Sequence, residues 1–182
     1  MVRYIDRMIE LKTRGARETQ GVAKMLTEAI AASPQQSHAT VVALQGELGA
    51  GKTTFAQGFA RALRVTERVL SPTFVLMKIY GLRPRIKDKS KKIKNQRHGF
   101  RHLVHIDCYR LASSKDLLHL GFKKLLKDKD AIILIEWPDR IKKILPSDTT
   151  WMRFAHGEKQ NERRIVIDER NERRLWGNTL RR

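Results

Sequence analysis

The feature that most constrains the fold is a glycine-rich loop between an apolar segment and an amphipathic one. Residues 46–53 read Gly-Glu-Leu-Gly-Ala-Gly-Lys-Thr and match the pattern G-x-x-x-x-G-K-[ST] in full. Glycines in such a loop let backbone N–H groups point at phosphate oxygens without obstruction by a Cβ atom. The sequence therefore predicts a phosphate-binding loop that joins a strand to a helix.

The segments on either side of this loop support that interpretation. Residues 40–45 (TVVALQ) form a short apolar run without alternation, which is typical of a central strand covered on both faces. After the loop, Phe55, Phe59 and Leu63 recur at steps of four, which predicts a helix over 53–63. A strand, a loop and a helix in this order are the context that a phosphate loop requires.

The rest of the chain alternates between helical and strand-like patterns. Apolar spacing predicts a helix over 16–32, and a short helix with a serine cap is predicted over 113–126. Alternation of strands with helices favours an α/β fold. Strands are predicted after the turn at 71–72, over 102–109 and 131–137, and as a C-terminal antiparallel hairpin over 151–156 and 163–170.

Composition narrows the setting and the partners. The chain has 182 residues, of which 41% are hydrophobic, and a single P-loop domain over 1–182 is the natural expectation. Its 38 Lys and Arg residues outnumber 19 Asp and Glu, which points to acidic partners such as nucleotides or nucleic acid. With one cysteine, Cys108, and no apolar run near the ~20 residues that span a bilayer, we expect a cytoplasmic protein without membrane contact.

Two segments are unusually basic. Residues 83–101 contain nine Lys or Arg residues and one Asp, with Phe100 as the aromatic residue at their edge. Such a run predicts a loop, and two roles for it stay open: a solvated surface, or contact with RNA phosphates without base stacking. The tail over 169–182 is also basic.

Candidate catalytic groups follow from the phosphate loop. Lys52 is expected to reach the β- and γ-phosphates, Thr53 to offer its hydroxyl to Mg²⁺, and Thr54 to be an ordinary residue of the first helical turn. Asp107 and Glu136 each end an apolar strand, at the edge where α/β sheets bind ligands. Either acid could orient the metal directly or through water, and either could polarise an attacking water, so both assignments stay open.

Two further residues are candidates on weaker grounds. Thr73 follows Ser71-Pro72 and could sense a γ-phosphate, as switch threonines of GTPases do. Trp137 directly follows Glu136 and could line the site.

Three motifs that mark other classes of phosphate-loop protein are absent from the sequence. It has no N-K-x-D motif for guanine selectivity, no Leu-Ser-Gly-Gly signature of ABC-type proteins and no second glycine-rich lid of a nucleoside-monophosphate kinase. Beside an ATPase that serves another enzyme, two alternative functions stay open: a small-molecule kinase and a basic nucleic-acid-binding ATPase.

The ordered set of motifs resembles one known family. The chain carries GELGAGKTT at 46–54, SPT at 71–73, HIDCYRL at 105–111, DLLHLGF at 116–122 and EWP at 136–138, in that order. This combination is similar to the TsaE family, the ATPase subunit of bacterial tRNA threonylcarbamoyladenosine synthesis. The resemblance covers roughly residues 16–168. It departs at 83–101, where the family has a tight turn and this chain has an insertion.

The resemblance implies a three-layer α/β fold like that of P-loop NTPases, with a central mostly parallel sheet flanked by helices. It also implies a weak, Mg²⁺-dependent ATPase that acts on the TsaB–TsaD pair, which modifies the adenosine beside the tRNA anticodon. It places Thr53 and Glu136 at metal-associated positions, Asp107 near the γ-phosphate, and Thr73 at a switch-like position. It also implies a set of ATP-binding residues: Glu47, Leu48, Gly49, Ala50, Gly51, Lys52, Thr53, Thr54, Trp137, Asp139 and Arg164.

Overall fold

The computed structural model describes residues 2–5 as backbone only, and residues 8–34, 36–73, 75–82 and 99–168 in full. Most of the basic segment (83–98) and the basic tail (169–182) lie outside the described residues, so their predicted roles are not tested by it. Within the described part, one sheet of eight strands joins every strand.

The strands of this sheet are β1 (Val2–Ile5), β2 (Met8–Thr13), β3 (Thr40–Gly46), β4 (Met77–Gly81), β5 (His102–Asp107), β6 (Ala131–Glu136), β7 (Thr150–His156) and β8 (Arg163–Asp168). Their order across the sheet is β1-β2-β8-β7-β3-β6-β5-β4. The four central strands, β7, β3, β6 and β5, run parallel to one another, and the outer pairs are antiparallel. This confirms the predicted α/β class with a parallel centre and a C-terminal antiparallel hairpin.

Helices cover both faces of the parallel centre. On one face lie α1 (Ala16–Ala32) and α2 (Lys52–Ala62), and on the other lie α3 (Ser114–His119), α4 (Phe122–Leu126) and a 3₁₀ helix (Pro138–Ile144). The close packing of α1 on α2 depends on Gly58, because a Cβ there would lie 2.7 Å from the Cα of Gln20. None of the helices in the described part of the chain has the length and apolarity needed to span a bilayer.

Two apolar clusters fill the space between the sheet and these helices. Under α1 and α2 the strands contribute side chains such as Leu44, Leu103 and Leu134, which are fully buried. Because side chains alternate along a strand, their neighbours Val104 and Ile135 face the second cluster, under α3 and α4. Apolar burial on both faces explains why the central strands read as continuous apolar runs.

The structure differs from the sequence prediction in three places. The antiparallel pair β1 and β2 was not predicted, although the alternation of buried Ile9 and Leu11 with their polar neighbours in β2 is typical of a strand. The strand after Ser71-Pro72 begins only at Met77. The single helix predicted over 113–126 is two short helices, because Gly121 takes a left-handed conformation (φ 81°) between them.

The predicted serine cap of that segment is present. Ser113 Oγ accepts from the Lys115 N–H at 3.2 Å, and Asp116 Oδ2 accepts from the Ser113 N–H at 2.9 Å. This reciprocal pair satisfies two backbone donors at the start of α3.

Candidate functional site

The candidate site lies where the central parallel strands end. The loop over 46–51 follows β3 and leads into α2, while Asp107 and Glu136 are the last residues of the neighbouring strands β5 and β6. Asp107 and Glu136 are directly paired in register, and both are at most 2% exposed. The expected strand–loop–helix junction and both strand-end acids therefore meet at one edge of the sheet.

Backbone geometry explains the glycines of the loop. Gly46, Gly49 and Gly51 have φ angles of 142°, 74° and 101°, a region that side chains with a Cβ rarely adopt. At Gly46 a Cβ would also lie 2.1 Å from the carbonyl oxygen of Phe154 on β7. The loop can hold this path against β7 only with glycine at position 46.

Lys52 is the buried cation of the site. Its Nζ donates to the carbonyl oxygens of Gly46 and Glu47, each at 2.7 Å, and lies 3.7 Å from the ring centroid of Trp137. Burial lowers the pKa of this ammonium group below its ordinary value, and the carboxylates of Glu136 and Asp107 act in the opposite direction. A cation so enclosed by carbonyls, carboxylates and an aromatic face is directed at the loop rather than at solvent.

A chain of hydrogen bonds links the start of α2 to strands β5 and β6. Thr53 Oγ1 donates to Glu136 Oε2 at 3.0 Å, and Glu136 Oε1 lies 2.9 Å from His105 Nε2. His105 is fully buried on β5, two residues before Asp107. Sequence reasoning did not assign a role to His105, although the HID triplet that contains it was part of the recognised pattern.

A second cluster ties the Ser71-Pro72-Thr73 turn to Asp107. Asp107 Oδ2 accepts from Ser71 Oγ at 2.5 Å and from Thr73 Oγ1 at 2.6 Å, and Oδ1 accepts from the Tyr109 N–H at 2.9 Å. The structure thus brings Thr73 into contact with the predicted acid. It adds Ser71, which the sequence had offered only as part of a turn.

Aromatic side chains form the wall beside Lys52. Trp137 takes a left-handed backbone conformation (φ 59°), which is rare for a residue with a bulky side chain. Its ring packs against that of half-exposed Tyr109, with centroids 5.0 Å apart. Asp139, two residues later, accepts from Gln45 Nε2 at 2.5 Å, so this carboxylate is held next to the end of β3.

The outer hairpin of β7 and β8 holds the tip of the loop. His156 Nε2 lies 3.1 Å from the Leu48 carbonyl oxygen, and Arg163 Nε donates to the Gly49 carbonyl oxygen at 3.2 Å. Arg164 points to the opposite face of β8, where it lies 3.9 Å from Glu10. Of the two neighbouring arginines, Arg163 is therefore the one that contacts the loop, whereas the resemblance had placed Arg164 among the ATP-binding residues.

The remaining predicted residues belong to the loop and the first turn of α2. Leu48 is 78% exposed at the tip, Ala50 is fully buried beneath it, and Thr54 follows Thr53 on α2. The described residues contain no group of three or more His, Cys, Asp or Glu side chains that could hold a metal alone. The hydroxyl of Thr53 and the carboxylate of Glu136 suit Mg²⁺, which binds few protein oxygens and keeps its other positions for water and phosphate.

Comparison with known proteins agrees with the motif pattern. The family model described as "Threonylcarbamoyl adenosine biosynthesis protein TsaE" matches residues 13–165. The chain belongs to the TsaE family. Family membership supports a P-loop type of nucleotide-binding protein and a place in tRNA threonylcarbamoyladenosine biosynthesis.

Individual TsaE relatives are similar over most of the chain. The TsaE protein of Bacillus subtilis is 32% identical over 142 residues, which cover 78% of this chain and 74% of the relative. The TsaE protein of Treponema pallidum is 36% identical over 110 residues, covering 60% of this chain and 68% of the relative. The crystal structure of Bacillus subtilis YdiB has a TM-score of 0.66 at 26% identity, and the match covers 100% of this chain and 97% of that one.

Proposed function

We propose that this protein is a Mg²⁺-dependent ATP-binding protein with weak ATPase activity, which acts on a TsaB–TsaD-like complex in the threonylcarbamoyl modification of tRNA. The observation that carries the proposal is the convergence of Lys52, Thr53, Asp107 and Glu136 at one sheet edge beside a glycine loop. Family membership directs this site toward tRNA modification. We further propose that residues 1–182 form one cytoplasmic ATPase domain.

Each of these side chains has a role that its environment supports. The backbone N–H groups of the loop and of the start of α2 would bind phosphate oxygens, and Lys52 would exchange its carbonyl partners for the β- and γ-phosphates. Thr53 and Glu136 would hold Mg²⁺, which neutralises phosphate charge when bound. Trp137 packs beside Lys52, and Asp139 is bonded to Gln45 at the end of β3, so both would contact the nucleotide.

Asp107 is the second acid of the proposed site, and its hydrogen bonds to the Ser71-Pro72-Thr73 turn support a role different from that of Glu136. Its carboxylate accepts the hydroxyl hydrogens of both Ser71 and Thr73, so its charge is directed at the turn that carries them. We propose that Asp107 orients the attacking water near the γ-phosphate and that Thr73 senses that phosphate. Since a cationic finger supplied by a partner accelerates related reactions by about 10³–10⁵, we expect slow turnover by the protein alone.

The experiment is ATP hydrolysis by the full chain, with and without a TsaB–TsaD pair. We expect slow hydrolysis alone, faster hydrolysis with the pair, and loss of both in Lys52→Ala and Asp107→Ala. Lys78→Ala, on the outer strand β4, is the matched control and should hydrolyse ATP normally. Intact hydrolysis in Lys52→Ala would contradict the site, and γ-phosphate transfer to a metabolite would favour a small-molecule kinase.

A further inference from the structure

His105 is a fully buried imidazole on β5. It is directly paired with Lys78 on β4 and with Leu134 on β6, and it shares its face of β5 with Leu103 and Asp107. Its Nδ1 has no hydrogen-bond partner among the described residues. Burial of a polar atom without a partner is unfavourable, so an apolar residue would suit this position in the fold better.

The other ring nitrogen explains what the histidine does there. His105 Nε2 lies 2.9 Å from Glu136 Oε1, and an ionised carboxylate can only accept, so Nε2 carries the hydrogen and donates it. The second oxygen of the same carboxylate receives the hydroxyl of Thr53 at 3.0 Å. With one oxygen held from β5 and the other facing α2, the carboxylate plane of Glu136 is fixed.

From this geometry we propose that His105 is a positioning residue, which holds the Glu136 carboxylate in the orientation that Mg²⁺ binding at Thr53 and Glu136 requires. The inference rests on the proposed function, because it concerns the metal-associated pair of that site. Residues that bond to a metal-associated carboxylate from behind commonly fix its orientation. Loss of such a residue typically lowers metal affinity or activity by about 10–100-fold.

The test uses two amide substitutions that place an N–H at different points. In His105→Gln the side-chain amide reaches the place of Nε2, whereas in His105→Asn it reaches only the place of Nδ1. His102→Asn is the matched control, because His102 lies on the same strand and pairs with a different carboxylate, that of Asp128, at 2.7 Å. ATP affinity of the full chain is measured calorimetrically in saturating Mg²⁺ and again in EDTA.

We expect Mg²⁺ to strengthen ATP binding by the unmodified chain. His105→Asn should lose about 10–100-fold of that gain while keeping its affinity in EDTA, and His105→Gln and His102→Asn should keep the gain within about threefold. If His105 serves only the fold, its substitution should change ATP affinity equally in saturating Mg²⁺ and in EDTA. An unchanged Mg²⁺ gain in His105→Asn would overturn the role of His105 and leave the proposed function standing.

Two other outcomes are also decisive. If ATP binding by the unmodified chain does not respond to Mg²⁺, the proposed function fails and the role of His105 fails with it. If His105→Asn does not fold, His105→Leu replaces it, since leucine suits the apolar surroundings of Leu103 and Leu134. Loss of the Mg²⁺ gain in His105→Leu supports the proposal, and retention of the gain overturns it.

Discussion

The two faces of strands β5 and β6 are built from alternate residues of the same segments, yet they end differently. On the face toward α2, both strands finish in buried carboxylates, Asp107 and Glu136. On the face toward α3 and α4, the preceding residues Ile106 and Ile135 continue an apolar cluster. Both faces carry buried apolar clusters, but these two strands end in carboxylates on the α2 face alone. We therefore expect substitutions at the strand ends to change activity on the α2 face and stability on the α3–α4 face.

The chemistry of Cys108 illustrates the α3–α4 face. This thiol is 1% exposed within the apolar cluster, and burial, with a smaller contribution from the Asp107 charge, raises its pKa to about 12. A thiol with so high a pKa is not a nucleophile near neutral pH. Cys108 is therefore a packing residue of this face, although it directly follows a residue of the proposed active site.

The largest change in stability is expected on the α3–α4 face, at Phe122. Phe122 is the first residue of α4 and its side chain is fully buried against the sheet, so Phe122→Ala should lower the free energy of unfolding by about 3–5 kcal/mol. Leu120→Ala, at a position that is 47% exposed, is the control and should cost much less. Urea denaturation gives the stability, and ATP affinity of the folded protein should stay unchanged. A loss of ATP affinity at Phe122 would show that the two faces are not independent.

On the α2 face, substitution of Glu136 is expected to change the free energy of unfolding less than Phe122→Ala does, but to lower ATP hydrolysis more. Glu136→Gln keeps a side chain that can bond to both His105 and Thr53, so stability should change by less than about 1 kcal/mol. Because the charge that favours Mg²⁺ is lost from the metal-holding residue itself, ATP hydrolysis at limiting Mg²⁺ should fall at least by the factor of about 10–100 that loss of a partner behind such a residue costs.

The control for Glu136→Gln is the residue beside it on the opposite face. Ile135→Val should cost about 0.5–1.5 kcal/mol of stability and leave hydrolysis unaffected. Steady-state hydrolysis and thermal unfolding of both variants give the four values needed. If Glu136→Gln were the less stable variant and Ile135→Val the less active one, the assignment of the two faces would be reversed.

The parts of this fold that sequence could predict are those with a local signal. The loop at 46–53 could be predicted from its glycines, which suit backbone angles that other residues rarely adopt. The helix α1 could be predicted from its apolar spacing. Asp107 and Glu136 could be placed together because parallel strands in an α/β sheet present their carboxyl ends at one edge.

The parts that were missed depend on contacts between distant segments. The strand β2 is held by pairing with β8, 150 to 160 residues later in the chain, for example Leu11 with Ile165. The role of His105 requires knowledge that its ring faces Glu136, which lies 31 residues away. Which of Arg163 and Arg164 binds ATP stays a prediction, because it depends on the register of β8, which a shift of one residue would reverse.

The smallest effect is expected for Arg163 and Arg164. It tests whether the nucleotide site on the α2 face extends to the C-terminal hairpin of β7 and β8. Arg163 donates to the Gly49 carbonyl at 3.2 Å, so Arg163→Ala should weaken ATP binding by about fivefold, the equivalent of one hydrogen bond worth ~1 kcal/mol. Arg164 forms a 3.9 Å ion pair with Glu10 through a side chain that is 55% exposed, and Arg164→Ala should change ATP affinity by less than about twofold. Titration of both variants with ATP under identical conditions decides between them. A larger loss in Arg164→Ala would restore the residue that the resemblance favoured, and would mean that β8 presents its opposite face to the nucleotide.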